Sequence, residues 1–392
     1  MSLSDLFRKQ EKKPLGLYIH IPFCAKKCAY CDFYSVTNQN LQEEYVLALL
    51  DQIESKKIIS KQYIVDTVYI GGGTPSILPE EQIGKILGTL RNTFKISDDA
   101  EITIEANPGT LDGSKLAAYR AYGINRLSIG LQSANNDELR MLSRIHSKEE
   151  FENTYMLSRM EGFDNINIDI MYALPNQKKE TFQKTLDYVI SLSPEHISMY
   201  GLKIEENTPF GRNPLIKKFL PDEDTQYEMY MDSCKKLDDN GYVQYEISNF
   251  SKKGLACKHN MKYWTCSDYI GFGPCAYSFA DDVIYSYVND IDRFISCVDD
   301  EKALLDSYEK LSLSQIATQY VMVGFRLRAG INTAEYARRF GESFEDKYSK
   351  KLEPFIEDKF VIKTSFGYRL SRRGMMISNY ILSEILDFDE NA

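Results

Sequence analysis

The sequence has no uninterrupted apolar run near the ~18 residues that a membrane-crossing helix needs. Its first residues lead into Gln10-Glu11-Lys12-Lys13 without the apolar centre of a signal peptide. No integral membrane span is expected, and the chain reads as cytoplasmic. An excess of positive charge is also missing: 47 Lys and Arg stand against 57 Asp and Glu, for a net charge of −10. Duplex-DNA binders present a basic face, so nucleic acid is not expected as the main partner. Hydrophobic residues make up 43% and charged residues 27%, which rules out a disordered chain, a collagen-like repeat and a disulfide scaffold. With 392 residues the chain has room for two or three domains, or for one large barrel plus an appendage.

Apolar runs at 15–23, 65–71, 102–106, 126–131, 166–174 and 196–204 alternate with amphipathic segments at 41–56, 80–91, 111–122 and 180–191. Successive strand–helix units imply a parallel sheet with right-handed crossovers. Six strands fall short of the eight that close a complete barrel, so the fold class read from the pattern is α/β, a partial six-stranded (β/α) barrel. A flat doubly wound sheet is the alternative, and either would gather ligands at the strands' carboxyl ends. The pattern divides the chain into an N-terminal extension (1–14), the barrel (15–240), an irregular Gly- and aromatic-rich segment (241–300) and a C-terminal module (301–392). Within the module, 311–326, 334–340 and 344–352 read as helices, with Pro354 ending the last. A hairpin over 359–370 and a helix over 375–385 complete a shape resembling a winged helix. That module carries 14 basic and 14 acidic residues, which argues for a lid or docking role over DNA binding.

Three of the eight cysteines crowd into Cys24-Ala-Lys-Lys-Cys28-Ala-Tyr-Cys31, just after the first strand, while five are scattered. This distribution indicates a metal or cluster site plus buried thiols in a reducing compartment. Three thiolates at C-x3-C-x2-C spacing can hold three irons of a four-iron cluster and leave the fourth open to a small amine-and-carboxylate ligand. Structural zinc prefers two short-spaced pairs, and no second pair exists here.

Other motifs end the strands. Gly71-Gly72-Gly73-Thr74-Pro75 lets backbone approach a ligand closely, although a plain strand-to-helix turn would use the same residues. It lacks the Lys of a phosphate-binding P-loop. Glu105 ends the third strand, where a capping or ion-pair role is also open. Gln132 ends the fourth, Arg144 follows it, and Asp169 lies on the fifth, placed to accept from ribose hydroxyls.

With these residues the sequence resembles the radical S-adenosylmethionine (SAM) superfamily and, within it, the oxygen-independent coproporphyrinogen III oxidase group that includes HemW-type haem chaperones. The resemblance runs from about residue 15 through the tail. It implies a partial six-stranded barrel, a [4Fe-4S] cluster on Cys24, Cys28 and Cys31, and SAM chelating the open iron. It further implies SAM contacts from Tyr18, Gly72, Gly73, Thr74, Glu105, Gln132, Arg144 and Asp169, of which Tyr18 and Arg144 rest on the resemblance alone. Tyr30 is expected to cover the adenine and Gly201 to leave room at the last strand.

Phe33 stands where the oxidase carries a fourth cysteine, which resembles the HemW-type branch. That branch's haem signature, H-N-x-x-Y-W, matches His259, Asn260, Tyr263 and Trp264. Imidazole suits haem iron and the aromatics suit the macrocycle. The alternative reading has His259 and Asn260 capping a helix while Tyr263 and Trp264 fill the core. Cys275 and Tyr277 replace residues of a Gly-Ala-His core common in the family, so the tetrapyrrole pocket departs from the pattern there.

The expected function is a haem chaperone holding a cluster, SAM and haem, with SAM cleavage retained. Its expected partners are haem or another tetrapyrrole, a haem-acceptor protein and a small electron donor such as a flavodoxin or ferredoxin. The alternative is an enzyme that decarboxylates coproporphyrinogen III or methylates or opens haem. A metal-stabilised DNA-binding regulator is a third reading, and the pI near 5.2 disfavours it.

Overall fold

The structure, a computed structural model, describes residues 12–387. The expected N-terminal extension therefore lies outside the described residues except for 12–14. Six parallel strands form the centre: β1 (Lys13–Ile21), β2 (Tyr63–Gly72), β3 (Ile96–Ala106), β4 (Arg126–Gln132), β5 (Ile166–Tyr172) and β6 (His196–Gly201). Between them lie α1 (Gln42–Ser55), α2 (Glu80–Thr93), α3 (Gly113–Ala121), α4 (Asn136–Met141), α5 (Lys148–Met160) and α6 (Lys179–Leu192).

Successive strand residues face opposite sides of a sheet. Here one side carries Leu127, Ile129, Ile168, Ile170 and Ile197, all fully buried in the core shared with the helices. Each such side chain contributes about 1.5–3 kcal/mol on burial. The other side carries Thr67, Glu101, Glu105, Arg126, Ser128, Asn167, Asp169 and Ser198. That inner face is polar because it lines a cavity.

The barrel stays open, and the sheet continues at both edges to twelve strands. After α7 (Glu223–Asp239), the short β7 (Val243–Gln244) and β8 (Asn249–Ser251) add to the β6 edge, β8 running antiparallel to β6. Helix α8 (Lys258–Trp264) follows. Then β9 (Tyr269–Phe272) pairs in parallel with β1, and β10 (Tyr277–Ala280), β11 (Val283–Tyr287) and β12 (Leu305–Lys310) extend it as an antiparallel meander. The segment 241–300, read as irregular, thus supplies both edges, and β12 carries the sheet past 301. Strands of two to six residues are too short to show a period-2 pattern.

The C-terminal module has its own core around Tyr336, Phe344, Tyr348 and Tyr368 and its own three-stranded antiparallel sheet. Pro354 does not end its helix. Phe344–Glu357 runs through it, at the cost of one backbone bond. The tail helix breaks at Ile377 into Arg372–Met376 and Ser378–Ile385. The module reaches both sheet edges. The Arg328 N–H donates to Tyr245 O at 2.9 Å, and Arg372 pairs with Asp238 at 2.7 Å. On the other side, Arg339 donates to the carbonyls of Thr265 and Cys266 at 3.0 and 2.7 Å.

Helix α8 is held from inside the barrel. The Glu101 carboxylate accepts the N–H groups of Lys258 and His259, both at 3.1 Å, and Lys262 pairs with Asp66 at 2.7 Å. Arg326 lies over the Trp264 ring, 4.5 Å from its centroid. Glu101→Ala leaves the buried His259 amide and the partly buried Lys258 amide without their acceptor, a loss of about 1–3 kcal/mol. Hydrogen exchange across α8 is expected to accelerate in that variant while the barrel strands keep their protection. Unchanged exchange would contradict the clamp.

Candidate functional site

The inner face ends in a cavity of about 550 Å³ lined from the β1–α1 loop and from the carboxyl ends of β2 to β6. The cysteine loop is pinned along its length. Cys24 N–H donates to Val36 O at 2.9 Å, Ala29 N–H to Leu142 O at 3.1 Å, and Gln39 Nε2 to Cys24 O at 2.9 Å. Cys24, Cys28 and Cys31 are free, partly exposed thiols in the cavity wall. Thr74 Oγ1 lies 3.6 Å from Cys24 Sγ, and Arg144 Nη1 lies 3.6 Å from Cys28 Sγ. Burial pushes the Cys31 thiol up.

Among the described residues no three His, Cys, Asp or Glu side chains are arranged to hold one metal ion. The donor set is three soft thiols set apart on one pinned loop, beside the Arg144 guanidinium and the Thr74 hydroxyl. That set fits an iron–sulfur cluster, which gives each thiolate its own iron.

The glycine turn explains how the loop comes so close. A Cβ on Gly73 would stand 2.7 Å from Phe23 O and 3.0 Å from Cys24 Sγ. Gly72 sits at φ +117°, a region that disfavours other residues, and a Cβ there would meet the His20 ring at 2.8 Å.

The polar groups form two linked sets. Near the cysteines, Arg144 Nη2 donates to Asn107 Oδ1 at 2.6 Å and to Gly130 O at 3.0 Å, while Asn107 Nδ2 donates to Thr74 Oγ1 at 2.9 Å. Farther in, Glu105 accepts from the Tyr69 hydroxyl at 2.7 Å and the Gly72 N–H at 3.1 Å. Burial pushes its carboxyl up to about 7 against those two bonds. Asp169 accepts from Ser128 at 3.1 Å and Asn167 at 2.9 Å, and burial raises it too.

The structure brings Cys24, Cys28, Cys31, Tyr30, Gly72, Gly73, Thr74, Glu105, Gln132, Arg144, Asp169 and Gly201 together around this cavity. Tyr18 is not in its wall. Its hydroxyl pairs with His20 Nδ1 at 3.0 Å behind the lining. Of the H-N-x-x-Y-W residues, Asn260 alone lines the cavity. His259 is fully buried, its Nδ1 bonded to Thr67 Oγ1 and its Nε2 to the Tyr263 hydroxyl, each at 2.9 Å. It stacks on Tyr69 with centroids 5.3 Å apart, and burial lowers its pKa to about 3. A buried imidazole needs a partner for each nitrogen, and Thr67 and Tyr263 supply them. Sequence reasoning passed over Tyr69, Asn107, Ser128 and Asn167 as site residues. Their signal is the alternate, inward positions of strands already recognised.

Fold and site together define a radical-SAM-type barrel, and comparison with known proteins agrees. Residues 18–189 match the Radical SAM superfamily and residues 311–377 the HemN C-terminal domain. The solved structure of the coproporphyrinogen III oxidase HemN from Escherichia coli, a radical SAM enzyme, superposes with a TM-score of 0.85 at 24% identity, covering 95% of this chain and 90% of that one. Heme chaperone HemW of Buchnera aphidicola (Schizaphis graminum) is 35% identical over 95% of this chain and 99% of its own length. The HemW proteins of Escherichia coli and Bacillus subtilis are 33% and 32% identical, covering 95% and 94% of this chain and 98% of each relative. The chain belongs to the HemW family.

Gly73→Ala is expected to push the cysteine loop off the glycine turn. Iron bound per chain after anaerobic reconstitution should fall several-fold, with the helix content unchanged. Full iron loading would show that the loop tolerates the extra methyl.

Proposed function

We propose that this cavity holds SAM on a [4Fe-4S] cluster and that the chain carries haem as a chaperone. The observation that carries the reading is that the three free thiols share one cavity wall with Arg144, Glu105 and Asp169. When bound, the cluster and SAM supply one-electron reductive cleavage of a sulfonium C–S bond. The chain's residues bind and orient. Arg144, already fixed by Asn107 and Gly130, offers its guanidinium to a carboxylate. Glu105 would accept from an ammonium, Asp169 from ribose hydroxyls, and Tyr30 would lie against the adenine. Gly73 and Gly72 bring backbone to the ligand, and the Gln132 amide and Gly201 complete the wall.

Support for a chaperone over an enzyme comes from the HemW relatives, which match 94–95% of this chain and are named as heme chaperones. Phe33, 70% exposed, gives the cluster loop an apolar tip where the oxidase has a cysteine. By the H-N-x-x-Y-W signature, haem would be taken up at α8, His259 offering an imidazole to the iron and Tyr263 and Trp264 their rings to the macrocycle. His259 is enclosed by Thr67, Tyr69 and Tyr263, so haem would reach it only if α8 shifted. A small electron-donor protein would reduce the cluster, and a separate protein would accept the haem. Among the described residues no helix is long and apolar enough to cross a membrane, which suits work in the cytoplasm.

The test is mass spectrometry of the tetrapyrroles after anaerobic incubation of reconstituted protein with reductant, SAM, haem and coproporphyrinogen III. Both are expected back unaltered, with haem retained by the protein and less of it retained by His259→Ala at equal iron content. A decarboxylated, methylated or opened product would make this an enzyme.

A further inference from the structure

Arg126 has no place in the assignments above, and its situation is unusual. It is the first residue of β4, its side chain is 1% exposed, and it lines the cavity. Among the described residues no carboxylate comes within ion-pair distance of its guanidinium, and its Nε has no hydrogen-bond partner. A lone buried charge is strongly unfavourable unless charge elsewhere offsets it.

The strand register shows where that charge lies. Arg126 is opposite Thr103 on β3, and the next inward rung pairs Glu105 with Ser128 and Ser128 with Asn167. One rung higher, Asp169 sits opposite Gly130. Arg126 thus stands one inward rung below Glu105 on neighbouring β3 and two below Asp169 on neighbouring β5, and both carboxylates face the cavity. Of the carboxylates, Glu101 acts on Arg126 most strongly, beside Cys257, Tyr69 and Tyr245, but it already accepts from the N–H groups of α8.

We propose that Arg126 is a positioning residue whose guanidinium is the counter-charge for the cavity carboxylates Glu105 and Asp169. It deepens the reading given above, because it takes those two carboxylates as the groups that hold SAM. Glu105 is faced by Tyr18 from β1, Tyr69 from β2, Arg126 from β4, Asp169 from β5, Tyr200 from β6 and Tyr263 from α8. Arg126 is the one cation among them. Even beside it, burial holds the Glu105 carboxyl near 7. An ammonium is bound by the ionised form, so affinity is full above that value and is lost as pH falls through it. Removing Arg126 moves this loss to higher pH and raises the neutral fraction of Glu105.

The measurement is an infrared titration of the protonated-carboxyl band in the full chain without cofactor, with E105Q identifying the Glu105 component. A midpoint near 7 is expected in wild type and R126K. R126M is expected to titrate at higher pH, by up to about one unit, because the neutral side chain no longer favours the ionised carboxylate. R126Q is the second neutral variant should R126M fail to fold. Coincident midpoints in wild type and a folded neutral variant would overturn the proposal. SAM binding to the reconstituted protein, followed against pH, should shift by the same interval in R126M. A wild type that binds no SAM at any pH would overturn the functional reading, while the infrared titration would still decide the role of Arg126.

Discussion

Nearly all buried donors and acceptors have to find a partner, and the polar inner face of this open barrel makes that requirement severe. Much of the arrangement follows from how it is met. Glu101 is satisfied by the first amides of α8, which places that helix inside the barrel. His259 and Tyr263 then complete one another and Thr67. His196, Asn167, Ser198 and Ser128 pass hydrogen bonds sideways to Asp169. What these bonds leave unfilled is the cavity, and the groups aimed into it are those with capacity to spare.

The second constraint is steric. The cysteine loop can approach β2 only over Gly73, and Gly72 turns the chain so that its N–H meets Glu105. One short turn therefore touches both ends of the site: the thiol Cys24 on one side and the carboxylate Glu105 on the other. Arg144 plays the matching part from the β4 side, joining Cys28 to Asn107 and through it to Thr74.

The six central strands and their helices were legible in the sequence because their outward faces are buried under helices and read as dense Ile, Leu and Val runs. The cysteine triplet and the strand-end residues were legible because spacing alone puts them in one loop or at one sheet edge. Two things were not. The strands at 243–251 and 269–287 are too short for periodicity, and their meaning depends on pairing with β1 and β6, far away in the chain. The burial of His259 was hidden too, since a residue type that suits iron equally suits a core position with two polar neighbours. Pro354 misled for a simpler reason: the C-terminal core around Phe344, Tyr348, Leu352 and Phe355 holds the helix across it.

The central claim is that the thiols and the carboxylates serve one ligand in one cavity. Electron paramagnetic resonance of the reduced, fully iron-loaded protein tests it most directly, recorded with and without SAM. The cluster spectrum is expected to change on addition of SAM, because the ligand that reaches Glu105 and Asp169 also meets the open iron. An identical spectrum in both samples would show that the two ends of the cavity do not share a ligand.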